Sequence, residues 1–267
     1  MVVILQILGT VILLSYLALM GFALIMADKM IFPAPPVGYP RSANLIMLTL
    51  PDGSEIAATT REQPVPQQWL IYCHGNGEDL GSVAPMLTDF VRRGWSVIAI
   101  DYPGYGHSQG SASEKGCYQA IDAAYLYLTT LRGVSPAAII PYGRSVGSGP
   151  ATYLAETQPV GGLILESAFT STFRVMLPVN PLPWDKFDNL KRASHIACPV
   201  LIMHGKRDEV IPFAHGEKLK AVFPGPKQHL WSEVARHNDL AEVAGKAYWE
   251  ALEKFRQTVL EQNKNVR

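Results

Sequence analysis

An excess of either charge is missing from this chain. Its 23 Lys and Arg match its 23 Asp and Glu, so no basic surface of the kind that captures nucleic acid is expected. Cysteine is scarce as well. Cys73, Cys117 and Cys198 are odd in number and far apart, which excludes a disulfide framework and any metal spacing built on thiolates. Each reads as a small buried apolar residue. No cluster of His and Asp sits at metal-ligand spacing, and there is no internal repeat or low-complexity run. What remains is a chain of 267 residues, long enough for one moderately large domain with a full hydrophobic core.

Charge is absent altogether before Asp28, and Gln6, Thr10 and Ser15 are the only markedly polar side chains in that stretch. Residues 2–27 exceed the roughly 20 needed to cross a bilayer. A cleaved signal peptide has a basic start and an apolar core of about 7–15 residues, and a buried core helix is rarely so uniformly apolar. The run therefore reads as a transmembrane anchor over 1–27, and the protein as single-pass and membrane-bound. Lys29 and Arg41 follow the run, and two charges do not set the side of the membrane. Residues 28–43, with Pro33, Pro35 and Pro36, form a stiff proline-rich linker. Residues 44–267 are left for the folded domain.

That domain alternates strand and helix. Segments 44–50 and 55–60 flank Pro51-Asp52-Gly53, a hairpin signal. Apolar strands are predicted at 68–73, 96–100, 137–142, 162–165, 200–204 and 227–231. Helical patterns lie near 82–93, 115–131, 151–156, 213–222 and 239–261. The expectation is an α/β fold with a mainly parallel, eight-stranded sheet flanked by helices. Pro141 is awkward in a central strand, because it cannot donate to the ladder.

The strand at 137–142 runs into Gly143-Arg144-Ser145-Val146-Gly147, a Gly-x-Ser-x-Gly pattern followed by a helix. A strand that turns straight into a helix leaves no room for β-carbons beside the turning residue, and Ser145 would present its hydroxyl at the tip. A serine hydroxyl needs a base to take its proton, and the base needs an orienting carboxylate. Asp208 follows the strand at 200–204, and His237 follows the strand at 227–231, giving the order Ser, Asp, His. Glu209 would point elsewhere. Glu166, after the strand at 162–165, is the rival acid and reads as a hydrogen-bonded structural carboxylate near the sheet edge. His229 reads as packed or on the surface; His107, His195 and His215 read as solvated.

An oxyanion hole needs two backbone donors. Val146 N–H supplies one, and the loop His74-Gly75-Asn76-Gly77 at the end of a strand supplies the other from Asn76 N–H, with His74 anchoring the loop. The same loop admits a different reading. Gly75-x-Gly77-x-x-x-Gly81 with Asp101 beyond it is a variant dinucleotide-binding pattern, which leaves Ser145, Asp208 and His237 as coincidences.

Taken together, His74–Gly77, Asp101-Tyr102-Pro103-Gly104-Tyr105-Gly106, Gly143–Gly149, Glu166–Ser171 and His204–Pro212 resemble the motif set of α/β-hydrolase-domain proteins. The resemblance is to membrane-anchored serine hydrolases, which include bacterial single-anchor proteins and eukaryotic protein depalmitoylases. It implies Ser145, Asp208 and His237 as nucleophile, acid and base, Asn76 and Val146 as oxyanion donors, and no cofactor or metal. Dehalogenases and epoxide hydrolases of this fold place Asp where Ser145 stands. The resemblance implies hydrolysis of carboxylic esters or thioesters, with lipids or acylated proteins as substrates. A serine peptidase or amidase and a catalytically silent interaction module are the other readings. Between the sixth and seventh strands such proteins often carry a lid. Here residues 166–199 leave room only for a minimal one and a shallow pocket open toward the membrane. Trp184 and Phe187 are expected to meet an acyl chain or to pack under the loop, and Tyr102 and Tyr105 to line the pocket.

Overall fold

A computed structural model describes residues 1–42, 45–65, 67–177 and 179–265, with side chains to residue 263. Asn44, at the predicted start of the domain, and Pro178, within the predicted lid, lie outside the described residues, as do the last two positions.

The chain opens with helix α1, Val2–Ile31, whose most apolar 18 residues have a mean hydropathy of 2.4 and are unburied, Ala27 near its end being the buried residue of the helix. By length and composition α1 is a candidate membrane span. It runs past residue 27, and the proline-rich segment after it is extended but docked. Phe32 is buried against the rings of Tyr102 and Phe187. Gly38 N–H donates to Asp79 at 2.6 Å, and Tyr39 hydroxyl to Asp101.

Eight strands follow: β1 Ile46–Thr49, β2 Glu55–Arg61, β3 Trp69–Cys73, β4 Ser96–Ile100, β5 Ile139–Arg144, β6 Leu163–Glu166, β7 Val200–Gly205 and β8 Lys227–Ser232. They form one sheet in the order β1-β2-β4-β3-β5-β6-β7-β8. The pairs β1·β2 and β2·β4 are antiparallel and all others parallel. Six parallel strands therefore end along one edge, where ligands of open α/β sheets bind. Pro141 is accommodated in β5 because pairing with β6 begins only at Tyr142. Its missing donor costs no rung there.

Helices α2 Leu80–Arg92, α3 Glu114–Leu126 (continued by a π turn to Leu131), α4 Ser148–Thr157, α7 Ala214–Val222 and α9 Lys246–Asn265 flank the sheet. Alternation along the strands sorts the core into two faces. Trp69, Ile71 and Cys73 of β3 pack with Ile121 and Ala124 of α3, whereas Leu70 and Tyr72 pack with Leu87 and Phe90 of α2 and Leu252 and Phe255 of α9. On α2 the buried residues Leu80, Val83, Leu87 and Phe90 recur at helical spacing, and Asp79 caps the helix with Ser82 in a reciprocal capping box. The predicted closing helix is divided. A short α8, Leu240–Ala244, stops at Gly245, whose φ of +50° breaks the run before α9 begins.

Between β6 and β7 the cap is minimal, as expected: among the described residues it holds two short helices, α5 Phe173–Met176 and α6 Asn189–Ala193.

Candidate active site

The turn after β5 is built by its glycines. A β-carbon on Gly143 would lie 2.4 Å from the Gly147 carbonyl oxygen, and one on Gly147 would lie 2.1 Å from that of Cys73. Neither position tolerates a side chain, so strand and helix close up around Ser145. The strain falls on Ser145, whose φ is +52°; a non-glycine residue held in the left-handed region persists only where its surroundings over-determine it.

His237 Nε2 lies 2.9 Å from Ser145 Oγ, and its Nδ1 lies 2.8 Å from Asp208 Oδ2. A carboxylate only accepts, so Nδ1 carries the hydrogen and Nε2 is left to accept from the hydroxyl. The three residues come from the carboxyl ends of β5, β7 and β8 and are all buried. Asp208 Oδ1 accepts N–H groups of Val210 at 2.9 Å and Ile211 at 2.7 Å. Burial alone would raise its pKa; the hydrogen bonds from His204, His237 and Ile211 override that and hold the carboxyl well below the usual range.

His204 was not singled out in the sequence, where it looks like the last residue of a buried strand. Its Nε2 lies 2.9 Å from the Ile211 carbonyl and 3.3 Å from Asp208 Oδ2. Both partners are acceptors, so Nε2 is the donor, and His204 and His237 meet the same carboxylate oxygen of Asp208.

The loop after β3 is held as firmly. His74 Nδ1 lies 2.8 Å from the Gly75 carbonyl, and its Nε2 lies 3.1 Å from Asp101. Two acceptors require two ring donors; burial alone would lower the His74 pKa, but pairing with Asp101 raises it. The Gly75 carbonyl also accepts Glu78 N–H. Because the peptide is planar and trans, pinning that carbonyl points the Asn76 N–H the opposite way. A β-carbon on Gly75 would lie 3.8 Å from that of Ser145, so this peptide borders Ser145. Val146 is buried in the one-turn helix Ser145–Gly147.

Several expectations need correction. Tyr102 and Tyr105 are fully buried and donate to the carbonyls of His74 at 2.6 Å and Asn76 at 2.8 Å. They brace the loop and offer no ring to a pocket. Phe187 takes the second of its two expected roles, fully buried and packed against Phe32, Tyr118 and Phe169. It fills the space left by Gly149, where a β-carbon would come within 2.2 Å of its ring. Trp184 is half-buried on the cap, its carbonyl accepting from Asn180 at 2.6 Å. Glu166 is a structural carboxylate at the carboxyl end of β6, accepting from Tyr142 and from Tyr248 at 2.8 Å, although β6 itself is an inner strand of the sheet. His215 is buried against Thr170 and not solvated.

The dinucleotide reading meets an electrostatic obstacle. Where a pyrophosphate would sit at the start of α2, Gly75 N–H donates to Glu78, Ser82 N–H to Asp79 and Leu80 N–H to Asp101. Three carboxylates already take the donors that an anion needs.

A family model described as the alpha/beta hydrolase fold matches residues 68–195. The alpha/beta hydrolase domain-containing protein 17B of Xenopus tropicalis is 37% identical over 218 residues, covering 80% of this chain and 74% of that protein. The human protein of the same name is 39% identical over 207 residues, covering 76% and 71%. This chain belongs to the α/β-hydrolase family. An esterase of Pyrococcus furiosus shares the fold with a TM-score of 0.70 at 16% identity, over 84% of this chain and 98% of its own. The family and the esterase neighbour together support a hydrolase. The α/β-hydrolase fold alone hosts many chemistries, so the reaction must be argued from the site.

Proposed function

We propose that this α/β hydrolase is a membrane-anchored serine hydrolase that cleaves carboxylic esters or thioesters through an acyl-enzyme on Ser145. The observation that carries the reading is the continuous path Ser145 Oγ, His237 Nε2, His237 Nδ1, Asp208 Oδ2, with steps of 2.9 and 2.8 Å. His237 takes the hydroxyl proton as Ser145 Oγ attacks the acyl carbon, and Asp208 stabilises the imidazolium. The N–H groups of Val146 and Asn76 receive the oxyanion, each worth roughly 100- to 1000-fold in rate. His237 then protonates the leaving alcohol or thiol. In the second half-reaction it activates water, which releases the acid and restores Ser145. The chemistry needs no cofactor.

Anchoring is read from α1. Tyr16 hydroxyl donates to the Pro181 carbonyl at 3.1 Å, and Lys186 pairs with Asp28 at 2.7 Å, so the cap segment lies alongside the apolar helix. Met176 and Val179 on that segment are largely exposed, as suits a surface beside lipid. Such a setting favours acyl groups presented by lipids or acylated proteins, with Trp184 as the remaining aromatic contact.

The test is hydrolysis of a panel of matched acyl esters, thioesters and amides by the detergent-extracted protein and its Ser145→Ala variant. The expected result is turnover by the native protein alone. Equal turnover by both would remove Ser145 as nucleophile. Cleavage of amides in preference to esters would favour the peptidase reading.

A further inference from the structure

Arg144 lies between the glycine turn and the nucleophile, and a solvated surface arginine is the ordinary expectation at such a position. Instead its side chain is 14% exposed and faces two loops and the end of β6. One terminal nitrogen pairs with Glu78 Oε1, the other donates to Asn238 Oδ1 at 2.9 Å, and Nε lies 3.4 Å from Glu166. Burial alone would lower its pKa, but the charges of Glu166 and Glu78 raise it, so the guanidinium stays charged.

Each partner is tied to a different part of the reaction. Glu78 uses its second oxygen, Oε2, to accept Gly75 N–H at 2.7 Å, and Gly75 precedes the proposed oxyanion donor Asn76. Asn238 follows the proposed base His237. Glu166 is fixed by Tyr142 and Tyr248, so it anchors the guanidinium to the sheet. A planar fork with five donors in fixed directions suits this three-way role, and an ammonium does not.

We propose that Arg144 is a positioning residue that locks the Gly75–Asn76 peptide and the His237 loop in register with Ser145. It touches no reacting atom; it acts through Glu78 on the oxyanion donor and through Asn238 on the base. The proposal rests on Ser145 being the nucleophile.

The experiment compares Arg144→Met, Arg144→Lys, Glu78→Met and the double variant Arg144→Met/Glu78→Met with the native full-length protein on one soluble ester. Ser145→Ala sets the baseline. Because misplacement of a reacting group by about 1 Å can cost on the order of 100-fold, Arg144→Met is expected to lower kcat by about 10- to 100-fold with KM unchanged. The double variant should be no slower than the slower single, since both break one clamp, and Arg144→Lys should recover part of the loss. Losses that multiply in the double variant, or a rise in KM with kcat intact, would overturn the clamp. So would kcat losses that match the folded fraction measured by circular dichroism. If Arg144→Met does not fold, Glu78→Gln carries the test. Its amide still accepts Gly75 N–H but gives up the ion pair, so a folded Glu78→Gln with native kcat would also overturn the proposal. Activity remaining in Ser145→Ala is a separate outcome: it would remove the nucleophile assignment, and the clamp with it.

Discussion

The rim of the sheet and the N-terminal flank of this molecule solve opposite problems. At the rim, Ser145, His237, Asp208, His204 and His74 are all buried, and each is held by named partners on at least one side. Along α1 and the cap, apolar side chains such as Leu13, Leu24, Met176 and Val179 face outward, while several polar groups of the cap are tied to one another. Asn180 accepts Leu182 N–H and donates to the Trp184 carbonyl, and Asp185 accepts Phe173 N–H. One region excludes water to sharpen a few electrostatic contacts. The other hides its polar atoms and offers apolar surface, which in water is a liability and against lipid is not. The comparison predicts that the two regions fail independently, chemistry at the rim and access at the flank.

The largest expected effect is at the rim. Asp208→Asn keeps the shape of the acid but allows the wrong His237 tautomer, and kcat on a soluble ester should fall by about 10⁴-fold with an unchanged circular dichroism spectrum. A loss of only a few-fold would mean that His237 is oriented by something else.

Next comes access. If acyl chains are taken up against apolar surface, each added methylene contributes up to about 0.8 kcal/mol, or roughly fourfold in kcat/KM. The ratio should rise over the first several carbons when measured below micelle-forming concentrations. A steady fall beyond acetyl would indicate a small-ester substrate and remove the flank from the account of specificity.

Acid separates the regions in another way. The Asp208 pKa is lowered in the folded state, so its stabilising contribution is complete above its unfolded value of about 4 and is lost as pH falls from there toward the folded value. The Tm difference between the native protein and Asp208→Asn should be constant at neutral and mildly acidic pH and shrink below about pH 4. A difference that shrinks already near neutrality would place the controlling group elsewhere.

The smallest effect should come from deleting residues 2–27. Because Asp28, Phe32 and the docked segment after them are retained, hydrolysis of a soluble short ester should be unchanged while the protein leaves the membrane fraction. Loss of that activity in a folded product would join the two regions into one.

What the sequence made legible follows the same division. Elements specified by neighbours in the chain are readable: the apolar runs of β3 to β7, the turn that needs Gly143 and Gly147, and the loops that carry Asp208 and His237 at the sheet edge. Contacts assembled across the fold are not. Arg144 meets Glu78 and Asn238 across 66 and 94 residues of chain, and nothing local marks it as more than a surface charge. Tyr102 and Tyr105 stand beside the loop after β3 and so resemble pocket lining in the sequence. The carbonyls of His74 and Asn76 needed donors, and the tyrosines turned inward to supply them. Phe187 was drawn into the core by the gap at Gly149. The break at Gly245 interrupts a helical pattern that its flanking residues continue, and only the positive φ shows why.

The central claim is that Ser145 alone is activated. Treating the detergent-extracted native protein with a fluorophosphonate probe and mapping the adduct by peptide mass spectrometry tests it directly. The account predicts a single adduct on the peptide carrying Ser145, lost in His237→Ala. A folded protein that takes up no probe, or that carries it on a different residue, would contradict it.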